Sequence, residues 1–172
     1  MRKPGFALSV LVLLLVSGWA LVPGVFTGQS PTEGVADQKF QAPGWQHLFG
    51  TDHLGRDVYA RMVHGSSLSL RAAVIAIALA FVAGAVLGLL AGFFGGWLDV
   101  GIMRLVEVML SIPSVLLSLL VISALGFGTV NVAIAVGVTS VAAFTRVTRA
   151  EVLRVRTAVF VEAAVMCGAR WW

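Results

Sequence analysis

Cysteine is nearly absent, with Cys167 the only one in the chain. A lone thiol excludes an intrachain disulfide framework and a multi-cysteine metal site. Charge is scarce too. Charged residues make up 12% of the 172 residues, where soluble domains hold about a quarter. No Gly-x-x-x-x-Gly-Lys-[Ser/Thr] run occurs, so the chain has no phosphate loop with which to hydrolyse ATP. No polar stretch is long enough to fold as a catalytic domain. What abounds is apolar: 59% hydrophobic residues and a mean hydropathy of +0.96. The expectation is an all-α, polytopic membrane helix bundle of about four spans, embedded in a lipid bilayer. The net charge of +4 does not point to nucleic acid, because the basic residues sit at the ends of apolar segments, where membrane topology places them.

Three regions follow from the pattern: residues 1–26, 27–67 and 68–172. Arg2 and Lys3 precede an apolar run from Phe6 to Val22 that Pro23-Gly24 closes. It also fits a signal peptide with Ala20 at the cleavage point. An uncleaved anchor is the preferred reading, because more spans follow. From Thr27 to about Gly65 the chain turns polar, with acids and bases nearly balanced, as suits an extracytoplasmic loop. Thr51-Asp52 predicts an Asx-type turn and Gly55 a positive φ. Asp57 predicts an N-cap on a short interfacial helix, Val58–His64, ended by Gly65.

The second span is expected from about Leu68 to Phe94. Ala76, Ala80, Gly84, Gly88 and Gly92 recur at every fourth residue, and Gly96 extends the row. Small residues in that register form a groove where a neighbouring helix can approach closely. The third span is expected from about Ile102 to Leu125, kinked at Pro113. Arg104 and Glu107 can pair at the membrane boundary, a reading preferred to Glu107 as a substrate or ion ligand. The fourth span is expected over about Thr129–Phe144, with Asn131, Thr139 and Ser140 serving interhelical hydrogen bonds. Arg146, Arg149, Arg154 and Arg156 follow it. Eight of the twelve basic residues, Arg2, Lys3, Arg104, those four and Arg170, fall on one side of a four-span layout. Lys39, Arg56, Arg61 and Arg71 fall on the other, so both termini are expected in the cytoplasm.

Two constellations are set aside. His47, His53 and His64 have spacings that fit no helical metal site. His64 beside Ser66 and Ser67 has no placed acid or oxyanion motif for an intramembrane hydrolase. No metal, no cofactor and no enzymatic activity are expected.

The stretch Phe49-Gly50-Thr51-Asp52-His53-Leu54-Gly55-Arg56-Asp57 resembles the Phe-Gly-Thr-Asp-x-x-Gly-Arg-Asp segment of ABC importer permeases of the dipeptide, oligopeptide and nickel family. In that family, as here, it lies between the first and second spans. Near the end, Glu162-Ala163-Ala164 with Gly168 resembles the start of the EAA loop, the cytoplasmic element through which such permeases engage their ATPase. The resemblance implies the N-terminal part of the ABC permease fold in a bacterial inner membrane. It implies partners as well: a second homologous permease, cytoplasmic ATPase subunits and an extracytoplasmic substrate-binding protein. Di- or oligopeptides are the implied cargo, with nickel as the runner-up. The family's loop continues towards an Ile-x-Leu-Pro ending and further spans, so a chain stopping at Trp172 is expected to be a fragment. A small membrane protein that only binds or inhibits a transporter is the reading from another class.

Overall fold

The computed structural model describes residues 4–169. Arg2, Lys3 and Arg170, which enter the orientation argument, lie outside them. Among the described residues the regular structure is helical, apart from a single bridge between Thr51 and Asp57. The chain forms two compact units that divide between Arg71 and Ala72.

In the first unit, α1 (Pro4–Leu21) is a uniformly apolar helix of 18 residues, about 27 Å long. A single turn, α2 (Pro23–Phe26), follows it. The phenyl ring of Phe26 lies 3.1 Å from where a Cβ on Gly18 would stand, so α2 folds back onto α1. The polar loop follows, with one 3-10 turn at Ala36–Gln38.

Helix α3 (Val58–Phe94) is 37 residues long, about 55 Å. Asp57 caps it, its Oδ1 accepting the Ala60 N–H at 2.6 Å. The expected break at Gly65 does not occur. Gly65 keeps a negative φ and sits inside one continuous helix. A glycine inside a helix costs about 1 kcal/mol, whereas opening the helix beside a membrane would strand several backbone groups.

In the second unit the expected third span is two helices, α4 (Gly96–Ser111) and α5 (Ser114–Leu125), set at 97° to each other. Pro113 makes more than a kink. It lacks an N–H and holds Ile112 extended at φ −90°, ψ 129°. α4 also begins six residues before Ile102, directly after α3. Helix α6 runs from Thr129 to Arg156, well past the expected end at Phe144. Its last turn carries Arg154 and Arg156, which the negative end of the helix dipole favours. A final helix, α7 (Val159–Met166), follows after a two-residue corner.

α3 and α6 are each long and apolar enough to cross a membrane, and α4 with α5 passes the same test as a bent pair. α1 is a shorter apolar helix. α6 packs on both α4 and α5. Asn131 donates to the carbonyls of Leu125 and Gly126 and so caps the end of α5. Thr139 and Ser140 do not bridge helices. Both hydroxyls donate to the Val136 carbonyl of their own helix.

Candidate functional site

The loop motif folds as a tight hairpin in which Gly50, Thr51, Asp52, Gly55, Arg56 and Asp57 each have a part. Gly50 has φ +72°, and a Cβ there would lie 2.4 Å from the Gln41 carbonyl oxygen. Gly55 has φ +74°, and a Cβ there would meet the Val35 oxygen at 2.0 Å. Only glycine suits both the dihedral and the space. The Thr51 hydroxyl accepts the Gln41 N–H at 2.8 Å and donates to the Gln38 carbonyl. Asp52 makes the Asx turn, its Oδ1 accepting the N–H groups of Leu54 and Arg56 at 2.8 and 3.0 Å. Its Oδ2 takes the Arg56 guanidinium at 2.8 Å and also that of Arg61. Desolvation alone would raise the Asp52 pKa. The hydrogen bond from the Arg56 side chain, the two backbone N–H groups and the Arg56 charge outweigh it and hold the carboxyl well below its usual range.

Asp57 serves two elements at once. While Oδ1 caps α3, Oδ2 meets His47 Nδ1 at 2.8 Å, and both side chains are buried. The loop is thereby tied to the start of α3. Tyr59 adds an aromatic tie, edge-on to Trp19 of α1 at 5.8 Å and to Phe49 at 5.5 Å. Of the three histidines, His47 is buried in this hydrogen bond, His64 bonds the Ala60 carbonyl one turn back, and His53 is exposed. Among the described residues no cluster of three or more metal-ligating side chains forms.

The small-residue row of α3 lies against α6. A Cβ on Gly84 would stand 2.4 Å from Phe144 Cβ. On Gly88 it would stand 2.6 Å from Thr148 Cβ and 2.7 Å from the Thr145 carbonyl oxygen, and on Gly92 2.8 Å from Val152. α6 answers with Gly137, where a Cβ would lie 3.0 Å from the Ala76 carbonyl oxygen. The numbers rise together along both helices, so α3 and α6 run parallel. The chain between them therefore reverses direction through α4 and α5. Gly96 does not extend the row. It starts α4 and faces open space, because α3 has already ended at Phe94.

The last helix, α7, is exposed except at Val161, which is half-buried. It starts at Val159, so Glu162 sits at the end of the first turn. Ala163 and Ala164 follow it on the exposed helix. Gly168 takes φ +86°. Its N–H bonds the Val165 carbonyl at 2.9 Å, and the Ala169 N–H bonds the Ala164 carbonyl at 3.0 Å. Those two bonds and the left-handed glycine form a complete Schellman cap.

Residues 84–172 match the family model for the binding-protein-dependent transport system inner membrane component. The chain belongs to this family. Named relatives are similar over nearly all of it. The dipeptide transport system permease protein of Alkalihalophilus pseudofirmus is 34% identical, covering 91% of this chain and 53% of its own length. The di/tripeptide transport system permease protein of Pseudomonas aeruginosa is 36% identical, covering 93% and 55%. The glutathione transport system permease protein of Pectobacterium atrosepticum is 33% identical, covering 96% and 54%. The chain thus spans about half the length of the curated relatives it matches.

Within this inner-membrane component, sequence reasoning missed the ion pair that joins α6 to α4. Arg149 of α6 grips Asp99 of α4 with two hydrogen bonds, Nε to Oδ1 at 2.5 Å and Nη2 to Oδ2 at 2.6 Å. Both are partly buried. A parallel two-point grip is the strong form of such a pair. It fixes the start of α4 to the same stretch of α6 that receives Gly88 and Gly92. The signal was an acid in a helix's first turn followed by an arginine cluster, but the pairing spans 50 residues and no local rule reaches that far. The Arg104–Glu107 pair does form, at 3.0 Å, and is exposed.

Proposed function

We propose that the chain is part of the permease subunit of an ABC importer that carries di- or oligopeptides across the cytoplasmic membrane. The observation that carries this reading is the family match over residues 84–172, which ends on an exposed, Schellman-capped helix. In this reading α7 is the coupling element. Its small Ala163 and Ala164 let it lie close in a groove of a cytoplasmic ATPase, and Gly168 turns the following chain back to the membrane. A second homologous permease completes the pathway, and a substrate-binding protein delivers cargo on the other side. The chain itself performs no catalysis.

The proposed orientation has the N-terminus and α7 in the cytoplasm and the loop of residues 27–57 outside. Support comes from the positive-inside bias and from the arginine-rich end of α6. The parallel run of α3 and α6 agrees with it, since both would then cross outward to inward. ATP-driven closure of the ATPases would move α7 and rock the attached helices, a two-state bundle biased through one contact element. The α3–α6 contact would carry that movement as one body, because helices this close cannot slide without separating.

Peptide cargo is preferred because relatives similar over most of this chain are named for dipeptides, di/tripeptides and glutathione. The test is uptake by the whole transporter with its ATPases and binding protein in proteoliposomes. Labelled dipeptide should enter only with ATP, and unlabelled dipeptide but not Ni²⁺ should compete. Competition by Ni²⁺ alone would assign the transporter to the nickel branch.

A further inference from the structure

The folded loop of the first unit encloses more than its own hydrogen bonds. A polar cleft of about 680 Å³ opens in it, a size suited to a small molecule. Its lining includes Glu33, Gln38, Trp45, His47 and Asp57, and no lysine or arginine. His47 is the telling residue. Its side chain is nine-tenths buried, at 10% exposure. Nδ1 is taken by Asp57, and Nε2 has no partner among the described residues. Asp57 already accepts the Ala60 N–H, so this network assigns the ring hydrogen to Nδ1. With Nδ1 held by Asp57, Nε2 is the ring nitrogen left for the cleft, and the carboxylate behind it orients the ring. The Glu33 carboxylate has no partner among the described residues, and Trp45, also in the lining, is fully exposed.

We infer that this cleft recognises the α-ammonium group of a short peptide, with Glu33 as counter-ion, His47 Nε2 as acceptor and the Trp45 ring as a cation–π face. A cation fits because carboxylates line the cleft and no basic side chain does. A metal ion does not fit, because no third ligand joins His47 and a carboxylate among the described residues. A primary ammonium needs two or three acceptors around it, and Glu33, Gln38 and His47 line this one cleft. The Gln38 amide can both donate to and accept from a peptide unit. The inference rests on the peptide and orientation readings above, which place the loop where incoming cargo would pass.

The test is equilibrium binding of labelled Ala-Ala to the detergent-purified full chain at neutral pH, with N-acetyl-Ala-Ala as comparison. Ala-Ala should bind saturably, and acetylation should weaken it at least tenfold. Glu33→Gln, on the exposed rim and outside the hairpin's bonds, should raise the Kd at least tenfold while helix content stays unchanged. His47→Ala disturbs Asp57 as well, so Glu33→Gln is the deciding variant. No saturable binding, equal affinity for the acetylated peptide, or an unchanged Glu33→Gln would each overturn the inference. The uptake assay answers separately. Peptide uptake without cleft binding sinks the cleft and leaves the transport reading standing. Cleft binding without uptake does the reverse.

Discussion

Adding one methyl group at Gly88 tests the close α3–α6 contact in the second unit. A Cβ there would lie 2.6 Å from Thr148 Cβ and 2.7 Å from the Thr145 carbonyl oxygen. The second atom is backbone and cannot swing aside. Ordinary carbon–oxygen contact needs about 1 Å more, so Gly88→Ala must part α3 from α6 locally. Overpacking of this kind costs about 1–3 kcal/mol, against a helix-propensity gain of about 1 kcal/mol for replacing glycine by alanine. Parting the helices also loosens Arg149, whose backbone nitrogen lies 3.0 Å from the same added carbon. Gly101 is the control. It lies within α4 with nothing within 4 Å of its added Cβ, so Gly101→Ala keeps the propensity gain alone. The two variants should differ by about 2 kcal/mol, with opposite signs relative to the parent. The assay is heating of detergent-solubilised protein, reading the surviving monodisperse fraction by size exclusion. Gly88→Ala should lower the midpoint and Gly101→Ala should hold or raise it. Equal midpoints, or a more stable Gly88→Ala, would refute the close α3–α6 contact.

Three further outcomes are expected. Asp52 has a depressed folded pKa, so the stability its ionised form contributes is complete above the ordinary value of 3.8 and is lost as pH falls through the folded value. Asp52→Asn should therefore speed amide exchange at Leu54 and Arg56 at pH 7, and the gap to the parent should narrow below about pH 4; a gap that is absent at pH 7 would contradict the hairpin network. A double-mutant cycle of Asp99→Asn with Arg149→Gln should give a coupling of about 1 kcal/mol or more, and Arg149→Lys should not restore it, since a lysine cannot make the two-point grip; additive effects would show the pair to be idle. Cysteine-accessibility labelling of intact cells, with Cys167 replaced by serine, should reach a probe at Gln38 and miss one at Thr157; the reverse pattern would invert the proposed orientation.

What was legible in the sequence was what local rules decide. Thr51-Asp52 with Gly55 specified a turn because an Asx bond and a left-handed residue act over four positions. The every-fourth spacing of Gly84, Gly88 and Gly92 put them on one helix face, which periodicity alone decides. It could not say that the facing partner is α6, because that contact joins residues about 60 apart. The membrane class followed from composition. Gly65 misled because glycine ends a helix only where a left-handed turn is wanted, and here continuity satisfied the backbone. Pro113 was seen, but not the size of its effect. A kink needs neighbouring turns to continue the axis, and the extended Ile112 prevents that. The end of α6 was placed at Phe144 because hydropathy falls there, while the helix goes on through Arg149 to meet Asp99. His47 looked like one of three scattered histidines. Its burial depends on Asp57, ten residues on, and no spacing rule announces that pair.

The central claim is that α7 couples this permease to an ATPase, and Gly168→Val tests it most directly. A valine at φ +86° costs about 1–2 kcal/mol of backbone strain, and nothing lies within 4 Å of its Cβ, so the membrane helices are untouched. In the intact transporter, parent and variant should insert equally. ATP-dependent dipeptide uptake and ATPase co-purification should be present in the parent and lost or strongly reduced in Gly168→Val. Parent-level uptake and co-purification in the variant would contradict the claim.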